Sequence, residues 1–308
     1  MIVGMLTSKT TRVDMGKEAI MANIWTRRSV LSTMAVGASG FIPAPGFAQG
    51  AGLLERLRKA GVAKVGITNG PPYSELKPDG TLDGVAPTIT GLIMKRLGVP
   101  KLEGVVSTYG ALIPGLQAGR WDFISAALTI TKVRCEQVAY SDPFLIDSSG
   151  FAYVPADLPD VPKSIKEIGE KIDRVGMLTS TAMLPLVQAA VNSGRKGTIS
   201  QFPDNSALLE ALFTKRVQVI FSGILILKEQ RTARNNSFEI VYPLPDDFVH
   251  GSGPAFRPGD TDLIEAFQTE FRKMKKSGEA QQIIKSFGFT VQGDGEDLTA
   301  EQACQRVA

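Results

Sequence analysis

Thr131 and Arg134 lie three residues apart in Ala126 to Cys135, "AALTITKVRC", where an apolar strand-like run gives way to the start of a helix. Threonine is a good N-cap residue, and three positions later a capping box places Glu or Gln. This chain places Arg134 there instead. A cation in the first turn faces the positive end of the helix dipole, which costs up to about 1 kcal/mol unless an anion joins it. The chemistry predicted from this pair is therefore anion binding. A second set, Thr179, Ser180 and Thr181 in "MLTSTAML" (177–184), falls between a strand and a helix. Backbone N–H groups left free at that helix start would face the same anion; a plain N-cap is the alternative, and both can hold.

Elements must hold these residues in place. "KVGIT" (64–68), a helix near 85–97 with Ile89, Leu92, Ile93 and Leu97 on one face, and "DFISAAL" (122–128) alternate strand, helix and strand. That order is α/β with mainly parallel strands. The second half repeats it. "LIPGLQAGRWDFISA" (112–126) aligns without a gap with "LLEALFTKRVQVIFS" (208–222), each a short apolar helix, a polar turn ending in Arg120 or Arg216, and a hydrophobic strand. "AKVGITNG" (63–70) likewise matches "DRVGMLTS" (173–180). A repeat of this length suits a pair of similar lobes better than a solenoid, with chance likeness among common βα units as the alternative. Two extended stretches, "SDPFLIDSSGFAYV" (141–154) and "EIVYPLPDDFVHGSGPAF" (239–256), are the candidate crossings between lobes. Residues 49–148 with 249–308 are assigned to the first lobe and 149–248 to the second. Two crossings make a hinge, and a small ligand would be enclosed beneath it. Helices near 261–277 and 279–286 and a polar tail close the chain.

The composition agrees with a globular protein: 308 residues, 43% hydrophobic and 21% charged. The net charge of +3 is spread along the chain, without the Lys/Arg clusters and aromatics of a nucleic-acid groove. Near the start, "TRRSVLS" leads into an apolar stretch from Val30 to Ile42 and a small-residue site at Gly46, Phe47 and Ala48. Residues 1–48 therefore read as an export signal of twin-arginine type, with a membrane anchor as the alternative and with Met15 or Met21 as possible true starts. The mature protein is expected to begin near Gln49 and to be soluble outside the cytoplasm. Export favours a disulfide between the two cysteines, Cys135 and Cys304, against two unrelated thiols. Such a bridge would tie the C-terminal tail to the helix carrying Arg134. With one histidine, His250, and no Cys/His cluster, neither a metal site nor a cofactor is expected.

"GLQAGRWDFISAALTITKVRCEQVAYSDPF" resembles the segment of periplasmic solute-binding proteins of polar amino-acid ABC importers in which a Gly-(Arg/Lys)-x-Asp strand leads into Thr-x-Thr-x-x-Arg and ends at Ser-x-Pro-(Phe/Tyr). The likeness runs from "KVGITNGPPYSEL" to "KKSGEAQQIIKSFGF". Within the family it is most similar to ectoine-binding proteins, through "PPYSEL", "YGALIPGLQAGRWD" and the Arg134–Cys135 pair. The resemblance implies a two-lobed type II periplasmic binding fold, a monomer in the periplasm, and two partners: a small carboxylate-bearing solute and the permease of an ABC importer. It implies that Arg134 holds the ligand's carboxylate, which a guanidinium does through two parallel hydrogen bonds. Tyr73 and Tyr109 would sandwich the ligand, each ring contributing roughly 0.5 to 2 kcal/mol against a cation. Covering the lobe's own core is the alternative for such tyrosines. Asn69 and Thr129 would line the floor, with Ser206 and Ser222 approaching from the second lobe. Three positions depart from the family. Amino-acid binders carry an aspartate where this chain has Gly223, and ectoine binders carry an acid and a further ring where it has Gly70 and Thr129. The ligand is thus left open among betaines, ectoine derivatives, amino acids and smaller acids.

A different class of function is an enzyme on the same fold, such as a periplasmic dehydratase, which needs a positioned acid or base in the cleft. Glu75 and Asp142 are expected at the cleft margins, and His250 as a hinge residue, a solvent-facing residue or a remote base. No Ser/His/Asp set or Gly-x-Ser-x-Gly elbow accompanies them. A receptor's sensing module would need an attached membrane span, and none is read after the domain. A free binder that closes on its ligand is the expectation.

Overall fold

The computed structural model describes residues 52–194, 197–247, 250–289 and 298–306, apart from the side chains of Asp147 and Arg306. The segment read as an export signal, 1–48, lies outside the described residues. Among the described residues no helix is long and apolar enough to cross a membrane.

The chain opens with α1 (Leu53–Ala60), β1 (Val62–Ile67), a small hairpin of β2 (Glu75–Leu76) and β3 (Leu82–Asp83), α2 (Val85–Arg96) and β4 (Lys101–Val106). It continues through α3 (Leu112–Gln117), β5 (Phe123–Thr129), α4 (Lys132–Cys135), β6 (Ala139–Tyr140) and β7 (Leu145–Asp147). α2 begins after Gly84, whose φ of 107° suits glycine, and a Cβ there would come within 2.7 Å of the Tyr73 carbonyl. Its Ile89, Ile93 and Met94 are fully buried, the spacing of a helix face against a sheet. β5 is buried along its whole length, as expected of a strand covered on both faces.

One residue after β7 the chain enters a second sheet through β8 (Ser149–Tyr153). Then follow α5 (Ile165–Lys171), β9 (Arg174–Leu178), α6 (Leu184–Ser193), β10 (Thr198–Phe202), α7 (Asn205–Phe213), β11 (Val219–Gly223), α8 (Ile224–Ala233) and β12 (Glu239–Val241). The return segment contributes β13 (His250–Phe256), α9 (Thr261–Ser277), α10 (Glu279–Ser286) and α11 (Ala300–Arg306). The polar tail of the sequence reading contains a helix, α11.

The first sheet has the order β4-β1-β5-β13-β6 with β7 paired to β13, and the second the order β10-β9-β11-β8-β12. Strands joined by βα units pair in parallel, while β8, β12 and β13 pair antiparallel with their neighbours. Each sheet is therefore mixed, where the sequence reading expects mainly parallel strands, because the returning segments enter against the direction of the βα strands. Helices flank both sheets. The first lobe's core joins α2 and α9 to the sheet, with Phe256 and Phe267 edge to face at 5.3 Å between ring centroids. In the second lobe α5 and α6 cross almost backbone to backbone: a Cβ on Gly169 would lie 2.0 Å from the Ala190 carbonyl oxygen. Gly169→Ala is expected to destabilise this lobe by about 2 kcal/mol or more through forced separation of the helices, measured as a lowered urea midpoint.

Candidate functional site

α4 is a single turn, and the predicted cap is present: Thr131 Oγ1 accepts from the Arg134 backbone N–H at 3.3 Å. The Arg134 side chain does not reach bulk water; the residue is 9% exposed. Its Nη1 donates to the Thr129 carbonyl at 2.7 Å and to the Tyr109 hydroxyl at 3.4 Å, while Nη2 donates to the Ser180 carbonyl at 2.7 Å. The Ser180 contact is a bond between lobes. The guanidinium also lies over the Tyr109 ring, 5.1 Å from its centroid. All of these acceptors are neutral, and among the described residues no carboxylate forms an ion pair with Arg134. Three of the five N–H donors of a guanidinium are used by these bonds.

The electrostatics around this cation follow from burial. Burial raises the Tyr140 hydroxyl well above its ordinary range, so it stays protonated and donates to the Thr129 carbonyl at 3.3 Å. For Tyr109 burial acts in the same direction, but the Arg134 charge and hydrogen bonds with Thr129 outweigh it and the net shift is downward.

Across the cleft the expected helix start is displaced. α6 begins at Leu184, after a turn, so residues 179–181 precede it instead of forming its first turn. The Thr179 N–H and hydroxyl both donate to the Phe202 carbonyl, at 2.9 and 3.2 Å, which removes that N–H from the anion-binding set. Ser180 has a φ of 62°, and its contribution to the site is the carbonyl rather than an N–H group. Thr181 differs from both. Its hydroxyl is buried and has no hydrogen-bond partner among the described residues.

Between the two sheets' strand ends lies a cavity of about 530 Å³. Asn69, Tyr73, Tyr109, Thr129, Thr181, Ser206 and Ser222 line it. Arg134, Thr179 and Ser180 do not; the guanidinium stands behind Thr129 and Tyr109, which themselves form the wall. Tyr73 serves two roles. Its ring packs edge to face on Phe289 at 4.9 Å within the first-lobe core, and its hydroxyl end reaches the cavity wall. Gly223 makes room for it: a Cβ there would lie 3.0 Å from Tyr73 Oη. The backbone at Gly223 has a φ of −57°, which any residue can adopt, so what glycine supplies is space. Gly223→Leu is expected to push the Tyr73 hydroxyl out of the cleft and to weaken ligand binding at least about tenfold, read by titration calorimetry.

The cavity also holds residues that sequence reasoning did not single out. Asp204 caps α7, accepting from the Ala207 N–H at 2.8 Å, and Asn205 accepts from the Ser222 hydroxyl at 3.1 Å; both line the wall. In open α/β sheets ligands gather beyond the carboxyl ends of strands, and residues 203–206 follow the end of β10; that rule was the available signal. His250 opens β13, is 7% exposed and lines the cavity, so the solvent-facing reading is overturned. Glu75 and Asp142 are not among the lining residues. Asp142 is a structural anchor: its carboxylate accepts from the Gln268 amide, from Arg272 Nε at 3.1 Å and from the Ala300 N–H at 3.2 Å. Among the described residues no group of three or more His, Cys, Asp or Glu side chains is placed to hold a metal ion. Cys135 and Cys304 form a disulfide, with Cα atoms 6.0 Å apart.

Residues 63–290 match the family model of bacterial extracellular solute-binding proteins, family 3. The chain belongs to that family. It is a two-lobed solute-binding protein of the kind that serves ABC import, with its cavity where the lobes meet. It is 24% identical over 266 residues to a probable amino-acid ABC transporter periplasmic-binding protein of Sinorhizobium fredii, covering 83% of this chain and 87% of the relative. It is 26% identical over 230 residues to the L-arginine-binding protein of Pseudomonas aeruginosa, covering 72% and 86%. Among solved structures it is similar to EhuB in complex with hydroxyectoine, at 36% identity and a TM-score of 0.75, covering 82% of this chain and 97% of that one. An exported, periplasmic protein is what such relatives imply for this solute-binding protein.

Proposed function

We propose that this protein captures a small carboxylate-bearing polar solute, an amino acid or a derivative such as an ectoine, and presents it in the closed form to a membrane permease. The observation that carries the reading is Arg134, a buried guanidinium with neutral acceptors on three bonds and no carboxylate partner among the described residues. Burying a charge is costly unless it is paired, so an anion entering the cavity completes this site once the Tyr109 hydroxyl or the Ser180 carbonyl gives way and uncovers the guanidinium behind the wall. The orphaned Thr181 hydroxyl offers a donor from the opposite lobe. Tyr73, Tyr109, Thr129, Asn69 and Ser222 shape the rest of the cavity, with Ser180 and Thr179 holding the second-lobe turn behind it. On this reading the lobes are residues 49–148 with 249–308, and 149–248. Ligand held by the first lobe gains second-lobe contacts only on closure, so binding favours the closed state by that difference. The protein acts as a monomer, exported through the twin-arginine-like segment 1–48.

The test is a thermal-shift screen across amino acids, betaines and ectoines. A carboxylate-bearing ligand is expected to raise the melting temperature progressively with concentration. Shifts produced only by compounds lacking a carboxylate would overturn the reading. A dehydratase-like enzyme is the second reading, and it rests on His250, an imidazole in the cavity wall able to move a proton. Product formed when the screen's hits are incubated with the protein would decide for it.

A further inference from the structure

We propose that the C-terminal helix α11 is a strap that positions Arg134, fixed at one end by the Asp142 carboxylate and at the other by the Cys135–Cys304 bridge. The inference rests on Arg134 being the anchor for the ligand's carboxylate. α4 has four residues, far too few to be stable on its own. Its own cap is one 3.3 Å hydrogen bond, donated by the Arg134 N–H to Thr131 Oγ1, and in a single turn the helix dipole is too small to hold or repel the buried cation it carries. Something outside α4 must keep the guanidinium aimed across the cleft at Ser180.

The first lobe supplies that support through a continuous path. Gln268 and Arg272 on α9 hold Asp142: Gln268 Oε1 accepts from the Asp142 N–H at 2.8 Å, and both side chains donate to its carboxylate. The other carboxylate oxygen of Asp142 accepts from the Ala300 N–H at the start of α11. That start is also closed by a capping box, with Gln302 N–H to Thr299 Oγ1 at 3.2 Å and Thr299 N–H to Gln302 Oε1 at 3.0 Å. Ala303 and Leu298 then pack with Ile130 and Val138, the residues flanking α4, and Cys304 is bonded to Cys135, the neighbour of Arg134. Each link lies within one lobe, so the strap holds α4 whether the cleft is open or closed. Cys135, Cys304 and Asp142 are thereby positioning residues for ligand capture.

The experiment compares the full chain with Cys135→Ser/Cys304→Ser and with Asp142→Asn, using amide hydrogen exchange without ligand and titration with hydroxyectoine. Exchange across residues 131–138 is expected to rise at least about tenfold while β1 (62–67) is unchanged, and the Kd for hydroxyectoine to rise at least about fivefold. In an Arg134→Lys background, breaking the bridge is expected to weaken binding no further, since the strap acts through that side chain; a merely structural bridge would weaken both backgrounds alike. Should either variant fail to fold, the unaltered protein reduced with a phosphine at low temperature gives the same two readouts. Unchanged exchange in 131–138, or an unchanged Kd once the bridge is broken, would overturn the proposal. If hydroxyectoine does not bind the unaltered protein, that counts against the choice of ligand alone, and the exchange measurement decides the strap.

Discussion

Replacing Arg134 by alanine is expected to cost at least about 2 kcal/mol of affinity for a carboxylate ligand, roughly a thirtyfold rise in Kd. Two effects add. The ligand's carboxylate would enter a desolvated site without its cation, and the cleft would lose the 2.7 Å bond from Nη2 to the Ser180 carbonyl that ties the lobes together. The Thr129 carbonyl would also lose its 2.7 Å donor, keeping the weaker one from Tyr140. Lysine restores the charge as a point without the planar fork, so Arg134→Lys should recover only part of the loss. Titration calorimetry measures the affinity, and small-angle scattering of the ligand-free protein checks the predicted opening. Undiminished affinity in Arg134→Ala would remove the basis for the proposed site.

Removing the Cys135–Cys304 bridge is the change with the largest expected effect on stability. The bridge spans a sequence separation of 169 residues, so its loss frees a long loop in the unfolded chain. The chain-entropy relation gives about 5 kcal/mol for such a loop, and measured losses run lower, so about 3 to 5 kcal/mol is expected for Cys135→Ser/Cys304→Ser. Guanidinium titration of the variant beside the reduced and oxidised parent checks it. An unchanged midpoint would mean that the packing of α11 on the first-lobe cluster suffices by itself.

What the sequence made legible was whatever rests on apolar periodicity or on side-chain type. α2, α9 and α10 stand within a residue or so of their expected places because buried residues recur at helical spacing, as with Leu263, Phe267, Phe271 and Met274 in α9. The two aligned helix–strand units are α3–β5 and α7–β11. β13 is hidden in the sequence: "HGSGPAF" is wholly buried between β5 and β6, yet Gly251 to Ala255 between its His and Phe ends are small or Pro and give no hydrophobic run. α11 was read as polar tail although Thr299 and Gln302 stand at capping-box spacing, since its brief apolar face has no periodic stretch behind it. At the site, the type and cap of Arg134 were readable. Its partner Ser180 acts through a carbonyl, which every residue possesses, so no choice of side chain announces it. Asp204 and Asn205 carry no signal of their own, since an Asp ahead of an apolar run has the pattern of an ordinary helix cap; Asp204 is such a cap and a cavity residue as well.

The place of β13 bears on how this molecule is made. It occupies the inside of the first sheet, yet it comes from residues 250–256, after the whole second sheet has been threaded. During vectorial synthesis β5 therefore emerges long before its antiparallel neighbour and waits with one side unpaired, the situation in which chains meet chaperones or pair with the wrong edge. The second sheet, complete within 149–241, has no such wait and can mature first.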